Sequence, residues 1–308
     1  MEKDVKVESG IPHEKSRKIW DKIFTYSMYV LLIVYCVSLI IPLIWMIFTA
    51  CKSYVEFYDN MFLWPEEWVL TNFKTALEKI NSMTTVVGNK RIHYNVGSMA
   101  MVSVVYSTLS PLPSLFFSTA MAYAMSKYQF KGNAFIYGLG LFVMITPLYG
   151  SSVSNMVLKR QWGIYDNMFA QILVSPYIPF SGLNFMILYA AFKGLSWSYA
   201  EAAFIDGAGH STVMWKIMFP MIMPTFSTLF ILGFIGHWND YMIPITFLPS
   251  YPNLAYGMYN FQLEAARLGA AMPEILAGFV IVSIPTCVMY FTLQKFGLKN
   301  VRMGGLKG

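Results

Sequence analysis

The sequence predicts an all-α membrane protein with six transmembrane helices, and three observations carry that prediction. The chain is 56% hydrophobic and 12% charged, with a mean hydropathy of +0.49, about half the charge of an ordinary soluble domain. Six apolar runs are each long enough to cross about 30 Å of hydrocarbon as helices. The basic residues gather at the ends of those runs and not in one patch. The net charge of +6 therefore reads as membrane flanking, with no nucleic acid among the expected partners. Backbone groups left bare in lipid are costly, so helices are the default; the runs also lack the strict alternation of barrel strands.

The elements follow in chain order. Residues 1–23 form a charged N-terminal segment, residues 24–294 the membrane domain and residues 295–308 a C-terminal tail. The first run, 24–50, follows a Lys-rich stretch from Glu2 to Lys22. It is too long for a signal core and lacks a small-residue cleavage site, so it is expected as an uncleaved first span. The others are placed at 97–126, 133–157, 167–192, 221–247 and 274–294. Between the first two lies the loop 51–96, with Trp64-Pro65, then Asn72-Phe73 leading into an amphipathic helix over Lys74–Met83. That loop reads equally as a solvated cap or as a docking surface.

Charge sets the orientation. One side receives Lys3, Lys6, Lys15, Arg17, Lys18, Lys22, Lys127, Lys131, Lys193, Lys216, Lys295, Lys299, Arg302 and Lys307, which is 14 residues. The other receives Lys52, Lys74, Lys79, Lys90, Arg91, Lys159, Arg160 and Arg267, which is 8. The excess places both termini in the cytoplasm of a multi-pass cell-membrane protein, with 51–96 external. Prolines 42, 111, 113, 147, 176, 179, 224, 244 and 285 put a potential kink in every span. Kinked helices suit a protein that opens and closes, and they occur in other membrane proteins too.

Several chemistries are disfavoured. Within the spans the Asp, Glu, Lys and Arg residues are Asp240 and Glu274 alone, both near span ends. A proton- or sodium-coupled carrier usually keeps an ionisable group near the midplane. No G-x-x-x-x-G-K-[ST] loop occurs, so the chain carries no ATP site of the usual kind and no cofactor is expected on it. Cys36, Cys51 and Cys287 read as small hydrophobes, and none has metal-ligand spacing. His13, His93, His210 and His237 are scattered, and no catalytic cluster stands out; neither a metal site nor an enzyme activity is expected.

The most informative stretch is the loop 193–220. Ser198 followed by Glu201 fits a capping box that starts a helix near Ser196–Ser198. Ala202 and Ala203 offer a bare surface that another protein can approach closely. Gly207 and Gly209 suit a helix end, and Ser211 suits the cap of a second helix through Val213, Met214 and Ile217. Pro220 then marks the entry to span five. A short helix, a tight turn and a second short helix along the membrane are expected. A plain connector explains these features as well as a docking element does.

The pattern Glu201-Ala202-Ala203-x-x-Asp206-Gly207-Ala208, with Ile217, Pro220 and Pro224 following, resembles the signature loop of binding-protein-dependent ABC importer permeases. Met214 and Phe219 depart from it mildly, standing where Phe and Leu are usual. Glu264-Ala265-Ala266 repeats the triplet without the later Asp-Gly and Phe-Pro, so the extended spacing is what is specific. The resemblance implies the six-helix type I (MetI-like) permease fold. It implies that the loop is a coupling helix seated in a separate ATPase, Glu201 and Asp206 making polar contacts, Ala202 and Ala203 packing closely, and Gly207 making the turn. Trp238-Asn239-Asp240-Tyr241-Met242-Ile243-Pro244 is similar to a fifth-span motif of the sugar-importing branch, and Gly304-Gly305-Leu306-Lys307-Gly308 to the tail of its MalG-like subunits. In that branch the tail reaches the ATPase dimer interface; on its own it reads as a disordered end.

The implied assembly holds this chain, a related second permease, two ATPase subunits that bind the ATP, and an extracellular solute-binding protein that delivers a carbohydrate. A polyol or glycerol-phosphate solute stays open, and a secondary carrier is the less favoured alternative. His237, Trp238 and Asn239 are the translocation-path candidates, because sugars bind by stacking and hydrogen bonds. The competing reading for them is helix–helix glue or interface anchoring.

Overall fold

The computed structural model describes residues 12–146, 152–174 and 182–303. Helix α1 (Pro12–Ala50) leads to α2 (Tyr54–Asp59), α3 (Thr71–Ser82), a hairpin of β1 (Thr84–Val87) and β2 (Lys90–His93), then α4 (Val96–Leu109) and α5 (Pro111–Lys127). Next come α6 (Asn133–Ile145), α7 (Ser152–Gln161), α8 (Met168–Leu173), α9 (Gly182–Gly194) and α10 (Ser198–Ile205). Helix α11 (His210–Thr212), a π-helical turn (Val213–Met218) and α12 (Phe219–Asn239) run on without a break. The chain closes with α13 (Met242–Phe247), α14 (Leu254–Glu264) and α15 (Met272–Met303).

Among the described residues, four helical stretches are long and apolar enough to cross a membrane: Trp20–Ala50, Val96–Lys127, His210–Asn239 and Met272–Thr292. They match the first, second, fifth and sixth predicted runs. The third and fourth come in pieces. Helix α6 supplies 13 residues of the third, and α8 supplies 6 of the fourth, whose last part lies in α9. Pro147, Pro176 and Pro179 lie outside the described residues. Pro42, Pro224 and Pro285 stand inside continuous helices, and Pro111 occupies the first turn of α5, where a missing N–H costs nothing.

The fifth run needs a correction at both ends. The helix begins at His210, and it stops at Asn239 because Asp240 leaves helical geometry and caps α13, accepting at Oδ1 from Met242 N and Ile243 N. Pro220 does not start a new element. It cannot donate, and its ring crowds the carbonyl four residues back, so the preceding turn widens to the π spacing, with Phe219 N donating to Met214 O.

Two bodies of packed side chains position the rest. Toward the 193–220 end, Leu115 and Ala122 of α5 meet Phe185, Leu188 and Phe192 of α9 and Ile222 and Leu229 of α12, all buried. Toward the hairpin end, Ile80, Met99, Phe234, Trp238, Met258 and Phe261 join α3, α4, α12 and α14. In lipid such contacts hold by close packing rather than by expulsion of water. A Cβ on Gly233 would lie 2.9 Å from Pro111 Cβ, so glycine is what lets α12 cross α5 this closely. Helix α1 is different. Its apolar window has no buried residue, and among its described side chains the buried ones lie in its last turn, where Ala50 meets Ala76 of α3 and Ala277 of α15.

In the 51–96 loop, the predicted amphipathic helix is present as α3. The hairpin that follows was not predicted; Val87 pairs with Lys90 across a two-residue Gly88-Asn89 turn.

Candidate functional site

Helix α10 projects from the end of the bundle opposite the hairpin. It does not begin with the predicted capping box. Ser198 is already the first helical residue, Trp197 is the cap position without a side-chain hydrogen bond, and Ser196 Oγ instead accepts from Ser198 N at 3.3 Å. Nor does Ser211 cap the second helix, since Gly209 occupies that position. The helix ends at the expected place. Gly207 N donates to Phe204 O and Ala208 N to Ala203 O, the paired bonds of a Schellman stop. Gly207 sits at φ +83°, where an L side chain is strained.

The predicted residues divide between two faces of α10. Glu201, Ala202, Asp206 and Gly207 are exposed. Ala203 is 7% exposed and turned into the bundle, beside the fully buried Ala200, and Ala208 is half-buried. Ala203 therefore packs the loop onto its own chain, and only Ala202 of the pair is free for a partner. The outer face carries two residues that the motif did not single out. Ile205 is 87% exposed and Tyr199 44%. Spacing would have found Ile205, which stands four residues after Glu201 on the same helical face. Ile205 stands between the exposed polar side chains of Glu201 and Asp206.

An aromatic rail fixes this element to the bundle. Tyr128, just after α5, contacts Tyr123, Trp197 and His210 with ring centroids 5.7 to 5.8 Å apart, and Phe204 packs on His210 at 4.9 Å. Tyr128 Oη and His210 Nδ1 lie 2.8 Å apart. Lys127 Nζ donates to Leu195 O at 2.6 Å. Asn133 Nδ2 donates to Met125 O and Tyr128 O, closing the α5–α6 turn beneath the rail. Contacts therefore link this element to α5 through Tyr128, and the π turn runs unbroken into α12.

Of the second predicted constellation, Trp238 and Asn239 line one cavity together, and His237 stands apart from it. His237 meets Tyr106 of α4 edge-on at 5.5 Å. Trp238 is 4% exposed, stacks on Phe234, and donates from Nε1 to Thr286 Oγ1 of α15 at 2.7 Å. That bond joins α12 to α15, as helix–helix glue would, and Trp238 also lines a cavity beside it. Asn239 is exposed and borders a cavity of about 460 Å³ between α12, α14 and α15, with Tyr241 and Tyr259 stacked 4.7 Å apart at its rim. The tail Gly304–Gly308 lies outside the described residues. Among the described residues no three His, Cys, Asp or Glu side chains gather as metal ligands.

Lipid-length helices packed around a small core, with a helix and turn projecting from one end, define a polytopic membrane protein. The chain belongs to the binding-protein-dependent transport system inner membrane component family, whose model matches residues 10–302. It is 28% identical over 302 residues to the probable ABC transporter permease protein YurM of Bacillus subtilis, covering 96% of this chain and 92% of that one. It is 27% identical to the multiple sugar-binding transport system permease protein MsmG of Streptococcus mutans, covering 93% and 99%. A chain of a bacterial ABC transporter that imports the acidic polysaccharide alginate superposes with a TM-score of 0.70 at 23% identity, covering 90% and 97%. That likeness establishes the shared fold.

Proposed function

We propose that this chain is the permease subunit of an ATP-driven importer of carbohydrates, oligosaccharides in particular. It would form half of a translocation path with a homologous second permease. Two separate ATPase subunits bind and hydrolyse the ATP, one of them seated on α10, and an extracellular binding protein delivers the solute to the hairpin end. Both termini and α10 then face the cytoplasm, as the basic-residue excess favours. The observation that carries the reading is the outer face of α10: Glu201, Ala202, Ile205 and Asp206 exposed together on a helix whose opposite face is locked into the bundle. The sugar-transport name of the Streptococcus mutans relative supports the solute class.

Closure of the ATPases would pull α10 and, through Tyr128 and the π turn, tilt α5 and α12. The solute path would open at the hairpin end and reset on hydrolysis. Uptake of labelled oligosaccharides by cells with and without the intact gene tests the solute class. Loss of oligosaccharide uptake is expected on disruption. Unchanged sugar uptake with loss of polyol or glycerol-phosphate uptake would assign the alternative solute.

A further inference from the structure

The loop joining α1 to α3 holds a lysine that is 1% exposed and, among the described residues, forms no salt bridge with a carboxylate. Lys52 Nζ donates instead to the backbone carbonyls of Asn60 and Met61, at 2.5 and 3.4 Å. Met61 O also accepts from Trp45 Nε1 at 3.0 Å. Two strong side-chain donors are spent on two loop carbonyls that water would satisfy at an ordinary surface.

The position of the loop explains why. Trp45 lies five residues before the end of α1, about 7.5 Å back along its axis at 1.5 Å per residue. The chain leaves α1 at Ala50, then returns alongside it: Phe62 packs on Trp45 with ring centroids 6.3 Å apart, and Trp64 packs on Phe48 at 4.1 Å. Residues 61–64 therefore sit at the depth of the last turns of a membrane span, outside the packed bundle. Their side chains face outward, Phe62 82% exposed, Leu63 63% and Trp64 67%. Together with Ile41, Pro42 and Phe48 they wall an apolar groove of about 660 Å³ continuous with the bare face of α1. Aromatic residues at the end of a span are the usual mark of the lipid interface. Non-helical backbone at that depth persists only if its polar groups are satisfied from within the protein.

We propose that residues 60–64 form a re-entrant lipid anchor at the hairpin end of the molecule. Phe62, Leu63 and Trp64 insert below the headgroups, phospholipid acyl chains fill the groove, and Lys52 and Trp45 satisfy the submerged carbonyls. The anchor holds the outer end of α1 at a fixed depth.

Spin labels test this. Phe62→Cys is labelled in a background where Cys36, Cys51 and Cys287 are replaced by serine, with Val86→Cys in the hairpin as a water-exposed reference. The tagged chain, with the subunits that co-purify, is placed in phosphatidylcholine nanodiscs. Collision with oxygen should dominate over collision with a water-soluble nickel chelate at position 62, and the reverse should hold at 86. Nickel access at 62 equal to that at 86 overturns the anchor, because the loop is then in water. Exclusion of both reagents overturns it too, because the loop is then covered by protein. In a Lys52→Met chain the nickel access at 62 should rise; an unchanged value overturns the role given to Lys52.

Discussion

Tyr128 Oη and His210 Nδ1 stand 2.8 Å apart although 82 positions separate them in the chain. The contact ties the turn after α5 to the first residue of the long helix that becomes α12, directly beneath the projecting α10. Tyr128→Phe removes the hydrogen bond and keeps the ring contacts, a loss of at most about 1 kcal/mol at an exposed site. Tyr128→Ala removes both. Thermal unfolding of the purified complex should show a small shift for Tyr128→Phe and a clearly larger one for Tyr128→Ala. Equal shifts would mean that the aromatic packing contributes nothing.

Gly207 is the hinge of the stop after α10. A Cβ there meets nothing within 4 Å, so the effect of Gly207→Ala is conformational alone. The left-handed geometry costs an L residue about 1 kcal/mol. Gly207→Asn should be milder than Gly207→Ala in a denaturation series, since asparagine tolerates this region. The opposite order would place the importance of Gly207 in size and not in backbone.

The two adjacent alanines of α10 should respond differently. Ala203→Leu forces three carbons into packed space, costing about 1–3 kcal/mol, and should lower the melting temperature. Ala202→Leu adds the same carbons to an exposed face. It should leave the melting temperature near wild type and reduce the amount of ATPase recovered with the chain.

Trp238 and Thr286 join α12 to α15 by one hydrogen bond. A double-mutant cycle with Trp238→Phe and Thr286→Val should return a coupling near 0.6 kcal/mol and no more than about 1.7, the range for such bonds in membrane proteins. A coupling of zero would assign the two residues to packing alone.

How much of this was legible in the sequence depended on whether the signal was local. The last turn of α1, the start of α4, the end of α5 and the start of α15 follow from hydropathy, and the stop at Gly207 follows from glycine's freedom at positive φ. Which alanine faces inward does not follow. Ala202 and Ala203 are identical in the pattern, and only the side chains brought by α5, α9 and α12 decide between them. The burial of Trp238 does not follow either, since its partner Thr286 lies on another helix. The β hairpin did leave a signal, in the β-branched Thr84–Val87 followed by Gly88-Asn89, but an apolar survey for helices passes over it. The pieces of the third and fourth runs are invisible to hydropathy, which records composition and not continuity.

The exposed face of α10 is the centre of the functional reading, and one measurement addresses it most directly. Glu201→Lys and Ile205→Asp are each introduced into the tagged chain, and the ATPase subunit recovered with it from membranes is quantified alongside the melting temperature. Docking on this face predicts that both substitutions lower ATPase recovery several-fold while the melting temperature stays within a few degrees of wild type. Undiminished ATPase recovery with both variants would contradict it.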